Sequence, residues 1–232
     1  MRIYVIRHGL SEGNAAGVIQ GFADSPLTDI GRSQAKLLGR YLLRENVSAE
    51  AIYSSPLKRA FETAEIIADE LDPIPAVRPV RGLMEVDVGT LSGMSIEDAH
   101  ARYPNGWSGD INKWLDFRIA GGEDFDGFFA RVREAADEII ESWGDPLADR
   151  TFLFVTHAGV MRPLLKSLLI GEGDFMYFTF GNCCHVKIEY RDIQGGVRRV
   201  LSELIRIERV AGLMRDKVPG SDIEDPVSRK MG

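Results

Sequence analysis

Cysteine is nearly absent: the chain has 232 residues and two cysteines, Cys183 and Cys184, which are neighbours in sequence. A trans peptide holds their Cα atoms closer than an ordinary disulfide prefers, so they read as free thiols of a reducing compartment. No Cys/His cluster has zinc-ligand spacing and no Asp-rich loop resembles a calcium or magnesium site, so neither a metal nor another cofactor is expected. Long hydrophobic runs are missing too. The longest, such as Thr151 to Val155, fall far short of the ~20 residues that cross a bilayer, and Met1 leads straight into a strand instead of a signal segment. A cytoplasmic location without membrane contact is the expectation. Positive charge is in deficit, with 28 Lys+Arg against 35 Asp+Glu for a formal charge of −7. That argues against a nucleic-acid partner, whose phosphate backbone demands a basic surface. A small anionic ligand needs only a local cluster of positive groups.

The chain carries strong β and α signals in alternation. Arg2 to Ile6 is apolar and β-branched and breaks at His8-Gly9, which reads as a buried strand delivering Arg7 and His8 at its carboxyl end. Thr28 caps a helix with Ala35, Leu37, Leu38, Tyr41 and Leu42 at helical spacing, despite Gly39 in its interior. Ala51 to Ser54 reads as a short strand, and Ser55-Pro56 as the cap and first position of a helix whose stripe is Leu57, Ala60, Ala64, Ile67 and Leu71. Phe125 to Trp143 is the clearest amphipathic helix, with Phe128, Phe129, Val132, Ala136, Ile139, Ile140 and Trp143 on one face. Thr151 to Thr156 is a buried strand ending at His157, followed by a helix from about Gly159 to Leu169. Strands near His185 to Tyr190 and Arg198 to Leu204 close the pattern.

Such alternation predicts an α/β three-layer sandwich, with a mostly parallel central sheet and helices on both faces. One domain, residues 1–207, is expected, followed by a polar, mobile tail at 208–232 rich in Pro219, Gly220, Asp222, Glu224, Asp225 and Pro226. Ligands of these sheets sit beyond the strand carboxyl ends. Arg7-His8, Arg59 and His157 should therefore converge, two guanidiniums and an imidazole around a phosphoryl group, with the N–H of Gly9 as a further donor.

At this point the chain resembles a known family. Arg7-His8-Gly9-Leu10-Ser11-Glu12-Gly13-Asn14 is similar to the Arg-His-Gly-x-Ser/Thr-x-x-Asn signature of the histidine phosphatase superfamily, which includes the phosphoglycerate mutase-like proteins. Asp24 to Gly31 with Gln34-Ala35 resembles that family's Pro-Leu-Thr-x-x-Gly-x-x-Gln-Ala segment. Tyr53 to Ala60 through Thr63-Ala64 resembles its second-arginine motif, Leu83-Met84-Glu85 with Gly89 and Gly93 its acid motif, and Val155 to Gly159 its second-histidine motif. Five motifs in family order are far more specific than any one. Two departures stand out: Ala158 replaces a frequent glycine, and Asp124 stands where serine is common, a change that bears on substrate choice.

The resemblance implies that His8 attacks phosphorus and becomes phosphorylated, that Arg7, Arg59 and His157 bind the phosphoryl oxygens with help from Asn14, and that Glu85 is general acid and then general base. Neighbouring arginines would keep the His8 imidazole neutral and nucleophilic. Gln20, Gly21, Gly9 and Ala158 are carried over as substrate contacts. Taken alone, Arg59 would be a solvated helix charge and Glu85 a surface carboxylate; His100 and His185 have no motif partner and read as structural. Tyr103, Trp107 and Trp114 lie in a variable segment that forms either a lid or a packed excursion beside the sheet. The expected activity is hydrolysis of a small phosphate monoester, in the phosphatase branch, because the stretch between Glu85 and His157 is compact and Val86 and Val88 stand where mutase forms carry polar contacts. The alternatives are a phosphoglycerate mutase-type phosphotransferase and a non-catalytic phospholigand-binding scaffold. The partner expected is a small phosphorylated substrate, with homodimer formation left open.

Overall fold

The alternation of side chains along three central strands divides the core in two. In the computed structural model, which describes residues 1–104, 117–169 and 180–216, strand β1 (Arg2–Arg7) sends Ile3 and Val5 to one face of the sheet and Tyr4 and Ile6 to the other. Strand β4 (Thr151–Thr156) likewise splits Phe152 and Phe154 from Leu153 and Val155. Both faces are buried, as the unbroken apolar runs require.

Between these strands come the short helix α1 (Glu12–Ala15), α2 (Asp29–Arg44), β2 (Ala51–Ser54), α3 (Lys58–Asp69), β3 (Ala76–Pro79), α4 (Ile96–Arg102) and α5 (Phe125–Ser142). After β4 follow α6 (Ala158–Leu169), β5 (His185–Ile193), β6 (Gly196–Ile205) and α7 (Ile207–Asp216). The sheet order is β3-β2-β4-β1-β5-β6. The first four strands are parallel, β5 runs antiparallel to β1, and β5 and β6 form a hairpin. Helices α2, α3 and α7 cover one face and α5 and α6 the other. The three-layer α/β sandwich expected from the alternation is thus the observed architecture. No helix among the described residues is long and apolar enough to cross a membrane.

Local chemistry explains most element ends. Thr28 caps α2 through its hydroxyl, which accepts the Gly31 N–H at 3.0 Å. Gly39 sits inside α2 because a Cβ there would lie 2.8 Å from the Cβ of Glu70, where α3 approaches. Asp124 caps α5, its carboxylate accepting the Gly127 N–H at 2.7 Å. The aspartate that departs from the family pattern is therefore a helix cap, the role serine fills equally well, and it does not line the cavity described below.

Two expectations are corrected, and one strand was missed. The helix after β2 starts at Lys58 with Leu57 as its cap residue, two positions later than the Ser55-Pro56 reading. Ser55 is instead drawn into the site by His157. Strand β3 escaped the sequence because it is short, largely exposed and ends in Pro79, which an edge strand tolerates. The boundary expected at residue 208 falls within α7, whose Ile207, Val210 and Ala211 are buried against the α2 side of the core. The polar composition hid that stripe, because three small or medium apolar residues suffice to dock it. Trp107, Trp114 and residues 217–232 lie outside the described residues.

Candidate active site

Strands β2, β4 and β1 are adjacent, so their carboxyl ends meet. The backbone stitches those ends together: His8 N–H donates to the Thr156 carbonyl at 2.9 Å, and Ser55 N–H to the Val155 carbonyl at 3.0 Å. His8 and His157 are held edge to face with ring centroids 5.1 Å apart. Beside them, Arg59 of α3 is almost wholly buried, its guanidinium donating to the carbonyls of Ala23 at 2.7 Å and Gly21 at 2.8 Å. Arg7 donates to the Phe180 carbonyl.

The tautomer of His8 follows from its partner. Nδ1 lies 2.7 Å from the Gly9 carbonyl, which can only accept, so Nδ1 carries the proton and Nε2 presents a lone pair. Burial, and then the charges of Arg7 and Arg59, hold the His8 pKa well below its ordinary value. His157 is shifted the same way by burial and then by Arg59. Desolvation thus outranks the arginine effect expected from sequence, and both keep the imidazoles neutral.

His157 Nε2 lies 2.8 Å from the Ser55 hydroxyl oxygen, which also accepts the Leu57 N–H at 3.3 Å. Three buried nitrogens of this cluster, Arg7 Nε, Arg59 Nε and His157 Nδ1, have no hydrogen-bond partner among the described residues. Buried donors are rarely left so, and the convergence of several at one place marks a site for acceptor oxygens.

Glu85 approaches from the other side. Its carboxylate accepts the Val86 N–H at 3.1 Å and, at 3.3 Å, the N–H of Gly159 in the first turn of α6. The absence of a side chain at Gly159 gives the carboxylate its place: a Cβ there would lie 2.3 Å from Glu85 Oε1. A cavity of about 260 Å³ opens over this cluster, lined by Arg7, His8, Arg59, Glu85 and Arg162 together with apolar residues that include Val86, Val88 and Phe117. That is far more than a single water needs and leaves room for a phosphoryl group and a small organic portion.

Of the other sequence candidates, Asn14, Gln20 and Gly21 line the cavity. The Ser11 hydroxyl lies 3.0 Å from the side-chain oxygens of both Gln20 and Asn14, and its one proton goes to either of them. Gly21 has a left-handed φ of 50°, and its missing Cβ makes room for Val88. Gly9 and Ala158 do not line the cavity. The Gly9 N–H is taken by the Thr63 hydroxyl at 3.1 Å, so it is no ligand donor, and a Cβ at Gly9 would meet the Gly31 carbonyl at 2.5 Å. Ala158 begins α6, and its carbonyl accepts from Arg162 at 3.1 Å.

Sequence reasoning missed Ser55 in this role, Arg162 and Asn182. Arg162 was legible as the residue one turn beyond Gly159 on the same helix face. Asn182 gave no signal, yet its amide donates to the His8 carbonyl at 3.2 Å and to Asn14 Oδ1 at 3.1 Å, tying the approach to β5 to the loop after β1. His185, which pairs with Ile6 across β1 and β5, is buried between the rings of Tyr4 and Tyr41 and does not line the cavity.

The fold is that of an α/β enzyme, and its site holds a neutral, buried histidine beside two arginines. The chain belongs to the histidine phosphatase superfamily (branch 1), whose sequence profile matches residues 3–202. It is 33% identical over 186 residues to phosphoserine phosphatase 1 of Hydrogenobacter thermophilus, covering 78% of this chain and 82% of that one. It is 36% identical over 165 residues to phosphoglycerate mutase-like protein 4 of Arabidopsis thaliana, covering 71% and 69%. Among solved structures, the alpha-ribazole phosphatase of Shigella flexneri superposes with a TM-score of 0.73 at 27% identity, covering 89% of this chain and 97% of that one. The family places the chain among phosphohydrolases, with mutases among the same relatives.

Proposed function

We propose that this chain hydrolyses small phosphate monoesters through a phosphohistidine at His8, with Glu85 as the proton donor and acceptor. The observation that carries the reading is the His8 geometry: Nδ1–H fixed on the Gly9 carbonyl, Nε2 left for attack, and burial holding the ring neutral. In the first half-reaction the Nε2 lone pair bonds to phosphorus, the bond from phosphorus to the ester oxygen breaks, and the proton of Glu85 goes to the departing oxygen. The Gly9 carbonyl stabilises the positive charge that develops on the ring, and Arg7, Arg59 and His157 stabilise the equatorial oxygens. In the second, the Glu85 carboxylate takes a proton from water as its oxygen attacks phosphorus. The P–N bond breaks and its electron pair returns to Nε2.

Hydrolysis is favoured over mutase transfer by what flanks Glu85. Val86 and Val88 are buried cavity walls, so they offer apolar surface where a mutase must grip and reorient a polar intermediate. The substrate class that fits is a small monoester with an apolar portion. Serine phosphate, whose organic part is polar, is the physiological ester to set against it, because three relatives are named phosphoserine phosphatases. The free thiols, both buried, suit a cytoplasmic enzyme; homodimerisation is the assembly we propose to test by sedimentation. A panel of monoesters including serine phosphate and 3-phosphoglycerate separates the readings, with inorganic phosphate and 2-phosphoglycerate followed in parallel. Phosphate release lost in His8→Ala supports hydrolysis; rapid isomerisation with negligible phosphate release rejects it.

A further inference from the structure

We propose that Arg131 and Glu123 form a buckle that sets the position of Glu85 from behind, as positioning residues for the acid–base step. This rests on the reading of Glu85 given above. Arg131, on α5, is only about one quarter exposed, at 24% for its side chain. Its guanidinium has five N–H groups, and all five are used. Nη1 donates to the carbonyls of Gly82 at 2.9 Å and Met84 at 3.1 Å. Nη2 donates to the Glu85 carbonyl at 3.2 Å and to Glu123 Oε2 at 2.8 Å, and Nε donates to Glu123 Oε1 at 2.7 Å.

Glu123 completes the loop on the other side of the acid. Its Oε2 accepts the Asp87 N–H at 2.9 Å, and its own N–H donates to the Asp87 carbonyl at 2.9 Å. The backbone is thereby gripped at residues 82, 84, 85 and 87, on both flanks of Glu85. Close packing reinforces the grip: a Cβ at Gly82 would lie 2.2 Å from the Cβ of Ala135 on α5, and one at Gly122 would lie 2.2 Å from the Asp87 carbonyl. Neither Arg131 nor Glu123 lines the cavity. Their influence on chemistry therefore passes through the backbone that carries Glu85. A lysine at 131 would keep the charge, which also bears on His157, but a single ammonium cannot span three carbonyls and a bidentate carboxylate.

The test is a double-mutant cycle. Arg131→Lys and Glu123→Gln are each made alone and with Glu85→Gln, and kcat/KM is measured for p-nitrophenyl phosphate and for an alkyl phosphate, with the inhibition constant of inorganic phosphate as the binding readout. Each single variant should lower kcat/KM for the alkyl ester by about 10- to 100-fold, because its oxygen needs the proton. The nitrophenyl ester, which leaves readily as an anion, should lose several-fold less. Phosphate inhibition should stay within about twofold, and in the Glu85→Gln background the loss should shrink to about twofold or less, as expected for residues acting through one group. Equal losses in both backgrounds, equal losses for both esters, or wild-type rates would overturn the proposal. If Arg131→Lys fails to fold, Glu123→Gln, which keeps size and shape, decides the question alone. Glu85→Gln with wild-type turnover would instead overturn the acid–base reading itself, and this inference with it.

Discussion

Gly159→Ala should separate stability from chemistry more cleanly than any substitution of a charged group. The added Cβ would lie 2.3 Å from Glu85 Oε1 and 3.2 Å from its carboxyl carbon, whereas ordinary contact begins at 3.4 Å. The shortfall is about 1.1 Å. No other neighbour obstructs the methyl group within 3 Å, and the carboxyl is the far end of a flexible side chain, so Glu85 yields and the helix does not. Alanine is also the better helix former, by up to ~1 kcal/mol. Displacing a reacting group by ~1 Å costs on the order of 10²-fold in rate. The expected outcome is a kcat lowered by about 10²-fold, with phosphate inhibition unchanged and a melting temperature equal to or above wild type. Steady-state kinetics with a monoester and a thermal melt measure both. Wild-type kcat would show that Glu85 need not sit where it does. A lower melting temperature with the same loss would show that the methyl group disturbs α6 instead.

Buried neutral histidines make the fold acid-sensitive. His8 and His157 have depressed pKa values, so below the ordinary imidazole value of ~6.5 the unfolded chain binds protons that the native chain refuses, and stability falls with pH until the folded pKa values are reached. Urea unfolding from pH 7 to 5 should show this decline, and His8→Gln should reduce its slope by up to ~1.4 kcal/mol per pH unit; an unchanged slope would remove His8 from the effect. Phe128→Ala empties a fully buried position between α5 and the sheet and should cost ~3–5 kcal/mol in the same assay, against little effect from a packed surface position. Activity should persist in EDTA, because guanidiniums already supply the charge that a metal would bring to the phosphoryl oxygens; loss restored by a divalent ion would contradict that.

Much of this was legible because the strongest signals are local. An apolar strand that stops at Arg7-His8 and another that stops at His157 put both histidines at one sheet edge, whatever lies between them. The amphipathic stripe of α5 named its buried face correctly through Phe128, Val132 and Ala136. The misses are non-local. Nothing near Ser55 announces that a histidine 102 residues away will occupy its hydroxyl. Gly9 looked like an anion donor because its N–H is in the motif, yet Thr63 of α3 takes that N–H. Arg131 drew no reading, since three of its five acceptors are carbonyls 46 to 49 residues away in sequence. Asn182 sits beside the two cysteines without periodicity or motif, and only the antiparallel return of β5 along β1 brings it to His8.

The central claim is that phosphorus passes through Nε2 of His8. Mixing the protein with a labelled phosphate monoester, quenching within a turnover and locating the label by mass spectrometry under alkaline conditions tests it directly. The account predicts an acid-labile, alkali-stable phosphate on His8 that is absent in His8→Ala and that accumulates in Glu85→Gln when the ester is p-nitrophenyl phosphate, whose leaving group needs no proton. Turnover by His8→Ala at the wild-type rate, or label on any other residue, would contradict it.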